Sequence, residues 1–176
     1  IGYHLATGKV PLIYLQNSGV GNIINPLLSL ADPDVYATPL LFIIGWRGEP
    51  NTYDEPQHKK QGRVMLCMLD SMKIPYTIVS SDMEQAESSI SQALSTARDS
   101  NGPVALIIRK GTFSVYQLQQ IQSVSMELTR EEAIQQILDE LSPDDIVVST
   151  TGMTSREVFE CRAQKNQGHQ RDFLTV

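Results

Sequence analysis

The chain has 176 residues, 41% of them hydrophobic and 19% charged, with fourteen basic against twenty acidic side chains and a net charge of −6. This is an ordinary globular composition. Its acidic balance argues against a nucleic-acid or anionic-membrane partner, and no run reaches the ~18 consecutive apolar residues of a membrane span.

Two cysteines, Cys67 and Cys161, without CxxC spacing make a disulfide framework or a structural zinc site unexpected. They point instead to a reducing cytoplasm. The chain opens at Ile1 to Ala6, which reads as the middle or end of a helix, and closes on the apolar run from Phe173 to Val176. Neither end carries the polar fray of a natural terminus, so an internal segment of a longer protein is expected.

In chain order, Val10 to Gln16 reads as a buried strand after the helix stop Thr7-Gly8-Lys9. A turn follows at Asn17 to Asn22. Helical apolar spacing then runs from Ile23 to Ala31, with Asn22 or Asn25 as a possible cap and Pro26 in the first turn. Pro39 to Gly45 is a second strand, Trp46 to Pro56 a long polar loop, Gln61 to Met72 a helix and Tyr76 to Val79 a third strand. Met83 to Asp99 is amphipathic and Pro103 to Ile108 is a fourth strand, ending at Arg109-Lys110-Gly111. Apolar strands alternating with helices predict an α/β fold, a parallel sheet with helices on both faces.

The run 114–128 is polar and irregular and reads as a linker. A second unit starts at Thr129, which forms a capping box with Glu132 on a helix to about Leu141. Asp145 to Ser149 reads as another buried strand, and a helix is expected from about Arg156 to Ala163, capped by Thr154 or Ser155.

Ligands in an open parallel sheet bind at the carboxyl ends of the strands, and three such ends are polar. Gln16-Asn17-Ser18-Gly19-Val20-Gly21-Asn22 could bring backbone close to an anion or polar ring, or be simply a tight turn. The stretch from Gly45 to Lys60 collects Arg47, His58, Lys59, Lys60 and three carboxylates, and reads either as an acid–base and anion site or as a solvated loop. Thr150 to Ser155 suits a phosphate, or ordinary capping. His4 and His169 lack partners at metal spacing, so no metal site is assigned. Cys67 is placed on the apolar face of its helix, and Cys161 has no base at useful spacing. No GxSxG supports a serine nucleophile.

The runs GYHLATGKVPLIYLQNSGVGNIINPLLSLAD, PLLFIIGWRGEP, DEPQHKKQGR, RKGTF, STTGMTSREVFE and RDFLTV, in this order, closely resemble the phosphonopyruvate decarboxylases, with the sulfopyruvate decarboxylases as near relatives. Both are thiamine-diphosphate families. The resemblance implies a carboxy-lyase that converts phosphonopyruvate to phosphonoacetaldehyde and carbon dioxide, with sulfopyruvate as the alternative substrate. It makes residues 1–113 most of a pyrimidine-binding domain, 114–128 a linker, and 129–176 the beginning of a similar diphosphate-binding domain. A linker of about fifteen residues leaves no room for the central domain of the larger thiamine-diphosphate enzymes.

By the same resemblance Asn17, Ser18 and Gly19 approach the aminopyrimidine, and Thr151 and Gly152 the diphosphate. His58 takes the place of the first of two adjacent catalytic histidines. Lys59 stands where the second would be, which puts a paired-imidazole relay in doubt but suits a doubly charged phosphonate. Arg47 and Lys59 are the expected substrate cations. The activating glutamate and the GDG motif that holds Mg²⁺ are expected outside the segment, which alone is expected to be inactive. The implied partners are a small anionic 2-oxo acid and at least one further subunit. The alternative of another class is a noncatalytic αβ assembly module or inert fragment.

Overall fold

In the computed structural model, which describes residues 1–117, 126–150 and 152–174, the chain divides into two units, Ile1–Gln117 and Leu118–Val176. The first is built on four parallel strands: β1 Leu12–Gln16, β2 Leu40–Gly45, β3 Tyr76–Ile78 and β4 Pro103–Ile108. They lie side by side in the order β1-β2-β4-β3. Its helices are α1 Gly2–Thr7, α2 Val20–Pro26, α3 Pro56–Ser71 and α4 Met83–Ser100. The chain steps outward from β1 through β2 to β3 and then back to β4. Right-handed crossovers place helices on opposite faces when the direction of stepping reverses.

The two cores follow that rule. Phe42, Ile44, Ala105 and Ile107 meet Val20 of α2 and Met65 and Leu69 of α3 on one face, while Leu41, Val104 and Leu106 meet Ala93 and Ala97 of α4 on the other. The expected α/β architecture is thus present, and β4 is buried on both faces, as its uninterrupted apolar run requires. Edge strand β1 is less covered: Leu12 and Tyr14 are exposed.

Three local expectations need correction. Helix α2 begins at Val20, takes no side-chain cap from Asn22 or Asn25, and carries Pro26 at its end rather than in its first turn. Beyond Pro26 the chain widens into a π-helical turn, Leu27–Ala31. Proline has no N–H to continue the ladder, and its ring crowds the carbonyl one turn back. Helix α3 starts at Pro56, not Gln61, with proline at the position where a missing N–H costs nothing. Cys67 is exposed, because α3 buries the stripe Gly62, Met65 and Leu69 and turns Cys67 away from it.

In the second unit α5 Arg130–Glu140 has the expected capping box: the Thr129 hydroxyl accepts from the Glu132 amide and Glu132 accepts from the Thr129 amide. Strands β5 Val147–Ser149 and β6 Asp172–Leu174 pair in parallel, joined through α6 Met153–Gln164. Leu138, Val158 and Cys161 form the core, with Val147 and Leu174 packed against it. The paired Val148 and Phe173 point the other way and are exposed. Helix α6 begins ahead of the expected Arg156 and is capped by Gly152, not Thr154 or Ser155. The Ser155 hydroxyl lies 2.9 Å from that of Ser149 and donates to the Thr150 carbonyl at 2.5 Å, which anchors the helix start to β5.

Candidate functional site

The carboxyl ends of β1, β2 and β4 open into a cleft of about 430 Å³. Gln16, Trp46, Arg47, Asp54, Arg109 and Lys110 are among its walls. Its position is the one that open parallel sheets use for ligands.

Beside the cleft, Asn17 ties the end of β1 to the Arg47 backbone. This side chain is 5% exposed and carries no charge. Its amide donates to the Arg47 carbonyl at 2.7 Å, and its carbonyl accepts from the Arg47 amide at 3.1 Å. Asn17 thereby adds a side-chain rung beyond the last β1–β2 pair, Gln16 and Gly45. Satisfying both ends of a buried carboxamide is what makes its burial tolerable. The Ser18 hydroxyl donates to Gln16 at 2.5 Å. Ser18 and Asn17 border a second, smaller hollow against α3.

Arg47 turns its guanidinium to Asp54, donating from Nε at 2.8 Å and from a terminal nitrogen at 2.5 Å. Asp54 also accepts from the amides of Gly48 at 2.7 Å and Glu55 at 2.8 Å. The Arg47 hydrogen bonds, helped by the two amides and opposed by burial, hold the Asp54 carboxyl well below the usual carboxylate range. Arg47 shifts up in turn, chiefly through the same bonds.

A carboxyl whose folded-state pKa is depressed stabilises fully above its unfolded value, here 3.8, and loses that contribution as pH falls through the folded value. Asp54→Asn should therefore cost about 1–2 kcal/mol at pH 7, a figure held down because the Arg47 side chain is 42% exposed. Urea unfolding should show the gap from wild type narrowing as pH falls below about 4. An equal gap at pH 3 and pH 7 would assign the effect to packing instead.

Trp46 is a core residue, 8% exposed, rather than part of a polar loop. Its amide continues the β2–β4 ladder to the Ile108 carbonyl at 2.8 Å, and its indole donates to the Gly62 carbonyl of α3 at 2.9 Å. His58 and Lys59 lie on the first turn of α3, not in the loop, and neither is a wall of the cleft. His58 is half-buried, and its Nδ1 is buried with no hydrogen-bond partner among the described residues. Lys59 is exposed.

Two cations escaped the sequence reading as site residues. Arg109 and Lys110 follow β4 directly and line the cleft. The Arg109 guanidinium lies 5.9 Å from the centre of the Trp46 ring and pairs through Nε with Glu49 at 2.9 Å. Their signal was positional: β2 and β4 are both apolar throughout, and neighbouring parallel strands end on the same edge.

In the second unit Gly152 adopts φ +87° at the start of α6, with nothing within 4 Å of where a Cβ would stand. Thr151, expected to act with it, lies outside the described residues. No group of three or more His, Cys, Asp or Glu able to hold a metal occurs among the described residues. No helix among them is long and apolar enough to cross a membrane.

No protein-family model matches the chain. Individual relatives do. The chain is 30% identical over 159 residues to phosphonopyruvate decarboxylase of Streptomyces viridochromogenes, covering 82% of this chain and 40% of that protein. It is 33% identical over 164 residues to phosphonopyruvate decarboxylase of Streptomyces hygroscopicus, covering 82% and 39%. Over 87 residues it is 37% identical to sulfopyruvate decarboxylase subunit alpha of Methanothermobacter thermautotrophicus, covering 49% and 50%. The resemblance read from the sequence is borne out, and the chain spans about 40% of the length of the phosphonopyruvate decarboxylases it matches.

Proposed function

We propose that the chain forms part of a thiamine-diphosphate-dependent carboxy-lyase that converts phosphonopyruvate to phosphonoacetaldehyde and carbon dioxide. The observation that carries this reading is the similarity to two phosphonopyruvate decarboxylases along 82% of the chain. The cation-bearing cleft at the carboxyl edge of the sheet supports it, because the substrate is a small anion with charge at both ends. Residues 1–113 would serve as the pyrimidine-binding part and 129–176 as the beginning of the diphosphate-binding part.

Bound thiamine diphosphate supplies an electron sink for the pair left behind by departing carbon dioxide. Two features of the chain fit such a group. The Gly152 turn leaves open space before the first N–H groups of α6, which have no intrahelical partner, so Thr151 and Gly152 would hold the diphosphate. The turn Asn17-Ser18-Gly19 would face the pyrimidine through its backbone and the Ser18 hydroxyl, since the Asn17 carboxamide is committed to Arg47. Mg²⁺ ligands would come from outside the described residues. The orphaned Nδ1 of His58 gives an imidazole with a free nitrogen for moving a proton to the product carbon. Exposed Leu12 and Tyr14 on β1, and Val148 with Phe173 on the second sheet, offer apolar surface for a homo-oligomer of at least two subunits. The free cysteines fit the reducing cytoplasm.

A second reading, sulfopyruvate as substrate, is favoured by the 37% identity to the sulfopyruvate decarboxylase subunit. Carbon dioxide release by the full-length protein with cofactor and Mg²⁺ from phosphonopyruvate, sulfopyruvate and pyruvate separates them. The expected order of kcat/KM puts phosphonopyruvate first. Sulfopyruvate first selects the second reading, and pyruvate first overturns both.

A further inference from the structure

The three cations of the cleft differ in what already holds them. Arg47 is clamped through two guanidinium nitrogens by a carboxylate that is itself 11% exposed, so its charge is neutralised in place. The Arg109 guanidinium is ion-paired only through Nε, with Glu49, and makes no side-chain hydrogen bond among the described residues. Lys110 has neither ion pair nor hydrogen bond among them. Three cations face two carboxylates, which leaves one uncompensated positive charge in the cleft of a chain whose net charge is −6.

The support beneath Arg109 is rigid. Trp46 is fixed at its amide by Ile108 and at its indole by Gly62, so the ring under the guanidinium is a fixed plate. With Nε on Glu49, the two terminal nitrogens of Arg109 remain available as a planar fork. A planar fork beside a compact ammonium is a good match for a tetrahedral oxyanion: the fork takes two oxygens and the ammonium the third.

We propose that Arg109 and Lys110 hold the phosphonate head of the substrate, while Arg47 shapes the cleft wall. This rests on the decarboxylase reading above and moves head-group recognition away from Arg47 and Lys59, where the sequence placed it. Glu49 acts as a positioning residue that aims the Arg109 fork. Pyruvate, which has no charged head, forgoes this interaction.

The test uses the full-length protein with Lys110→Met, Arg109→Gln and the charge-preserving Arg109→Lys. Steady-state kinetics are read with phosphonopyruvate and with pyruvate, and inorganic phosphate is titrated calorimetrically as a probe of the head-group site. Each neutral variant should lower the preference for phosphonopyruvate over pyruvate by about 10- to 100-fold, mostly through KM, and weaken phosphate binding by a similar factor. Arg109→Lys should recover only part, because it restores charge without the fork. Both side chains are exposed, so the variants should fold, which circular dichroism checks.

If wild type prefers phosphonopyruvate and the variants keep that preference, the head-group site is wrong while the decarboxylase reading survives. If wild type turns over no phosphonopyruvate yet binds phosphate in a manner that needs Arg109 and Lys110, the substrate is wrong and the anion site stands. Phosphate binding that is absent, or indifferent to both residues, overturns the site.

Discussion

Gly62→Ala should destabilise the first unit by about 3–5 kcal/mol, beyond the ordinary range for a single added methyl group. The reason is a contact between two backbones. A Cβ on Gly62 would be driven into the carbonyl of Gly48 and would lie 2.5 Å from the carbonyl oxygen of Arg47. The reverse holds as well, since a Cβ on Gly48 would strike the His58 carbonyl, at a residue whose φ of +68° already disfavours any side chain. Neither neighbour is a flexible side chain that can swing aside. Helix α3 would have to lift from the loop, breaking the bond from the Trp46 indole to the Gly62 carbonyl and loosening Met65 and Leu69 in the core. Gly21→Ala is the control. Gly21 lies within α2 with nothing within 4 Å of its absent Cβ, so alanine there should be neutral or stabilising by up to about 1 kcal/mol. Urea unfolding of both variants decides the matter: equal effects would mean that close approach is not what Gly62 provides.

That contact also explains which parts of the molecule can be read from sequence. Strands β2 and β4 are unbroken apolar runs, and both cores follow from them. The Thr129 box is local chemistry with a fixed spacing, so it too was legible. The start of α3 was not. Pro56 to Lys60 carries no apolar periodicity, because that turn is held by the loop before it rather than by burial of a stripe: the Asp54 carboxylate accepts the Glu55 amide, and Gly48 packs under His58. Trp46 looks like loop in the sequence for a related reason. Its neighbours Arg47 and Gly48 are loop-like, but the indole continues the core past the end of β2. Cys67 went the other way, since an apolar residue on a helix that packs through one narrow stripe can still face out.

Within the cleft, the residue types were legible and their pairings were not. Arg47 and Asp54 are seven positions apart across an irregular loop, and nothing in the sequence says that they neutralise each other. Arg109 becomes a candidate only once β4 is known to lie beside β2, because the long crossover through α3 and α4 separates them in sequence. Asn17 suits a ligand by residue type, but the structure gives its carboxamide a structural task that the same residue type performs equally well.

His58→Ala should lower kcat for phosphonopyruvate in the full-length protein by about 10²- to 10⁴-fold, the range of a positioned acid–base group, while the unfolding temperature barely moves. The expectation of small structural cost has a definite basis. The imidazole makes no side-chain hydrogen bond among the described residues, so its removal breaks none. The elements that fix its place are backbone ones, the His58 amide donating to the Glu55 carbonyl at 3.0 Å and the Gly48 approach, and alanine keeps both. Burying a polar nitrogen without a partner costs stability, and such a group is retained where it has work to do in the bound state. Decarboxylation leaves a carbanion-like centre that must be protonated, and imidazole is the side chain suited to exchange a proton near neutral pH. Lys59→Ala should behave differently, leaving kcat and KM near wild type, because Lys59 is exposed and is not a wall of the cleft in which Arg109 and Lys110 would hold the head group. Should His58→Ala keep near wild-type turnover across pH 5 to 8, the proton reaches the product from elsewhere, and the orphaned Nδ1 has no catalytic meaning.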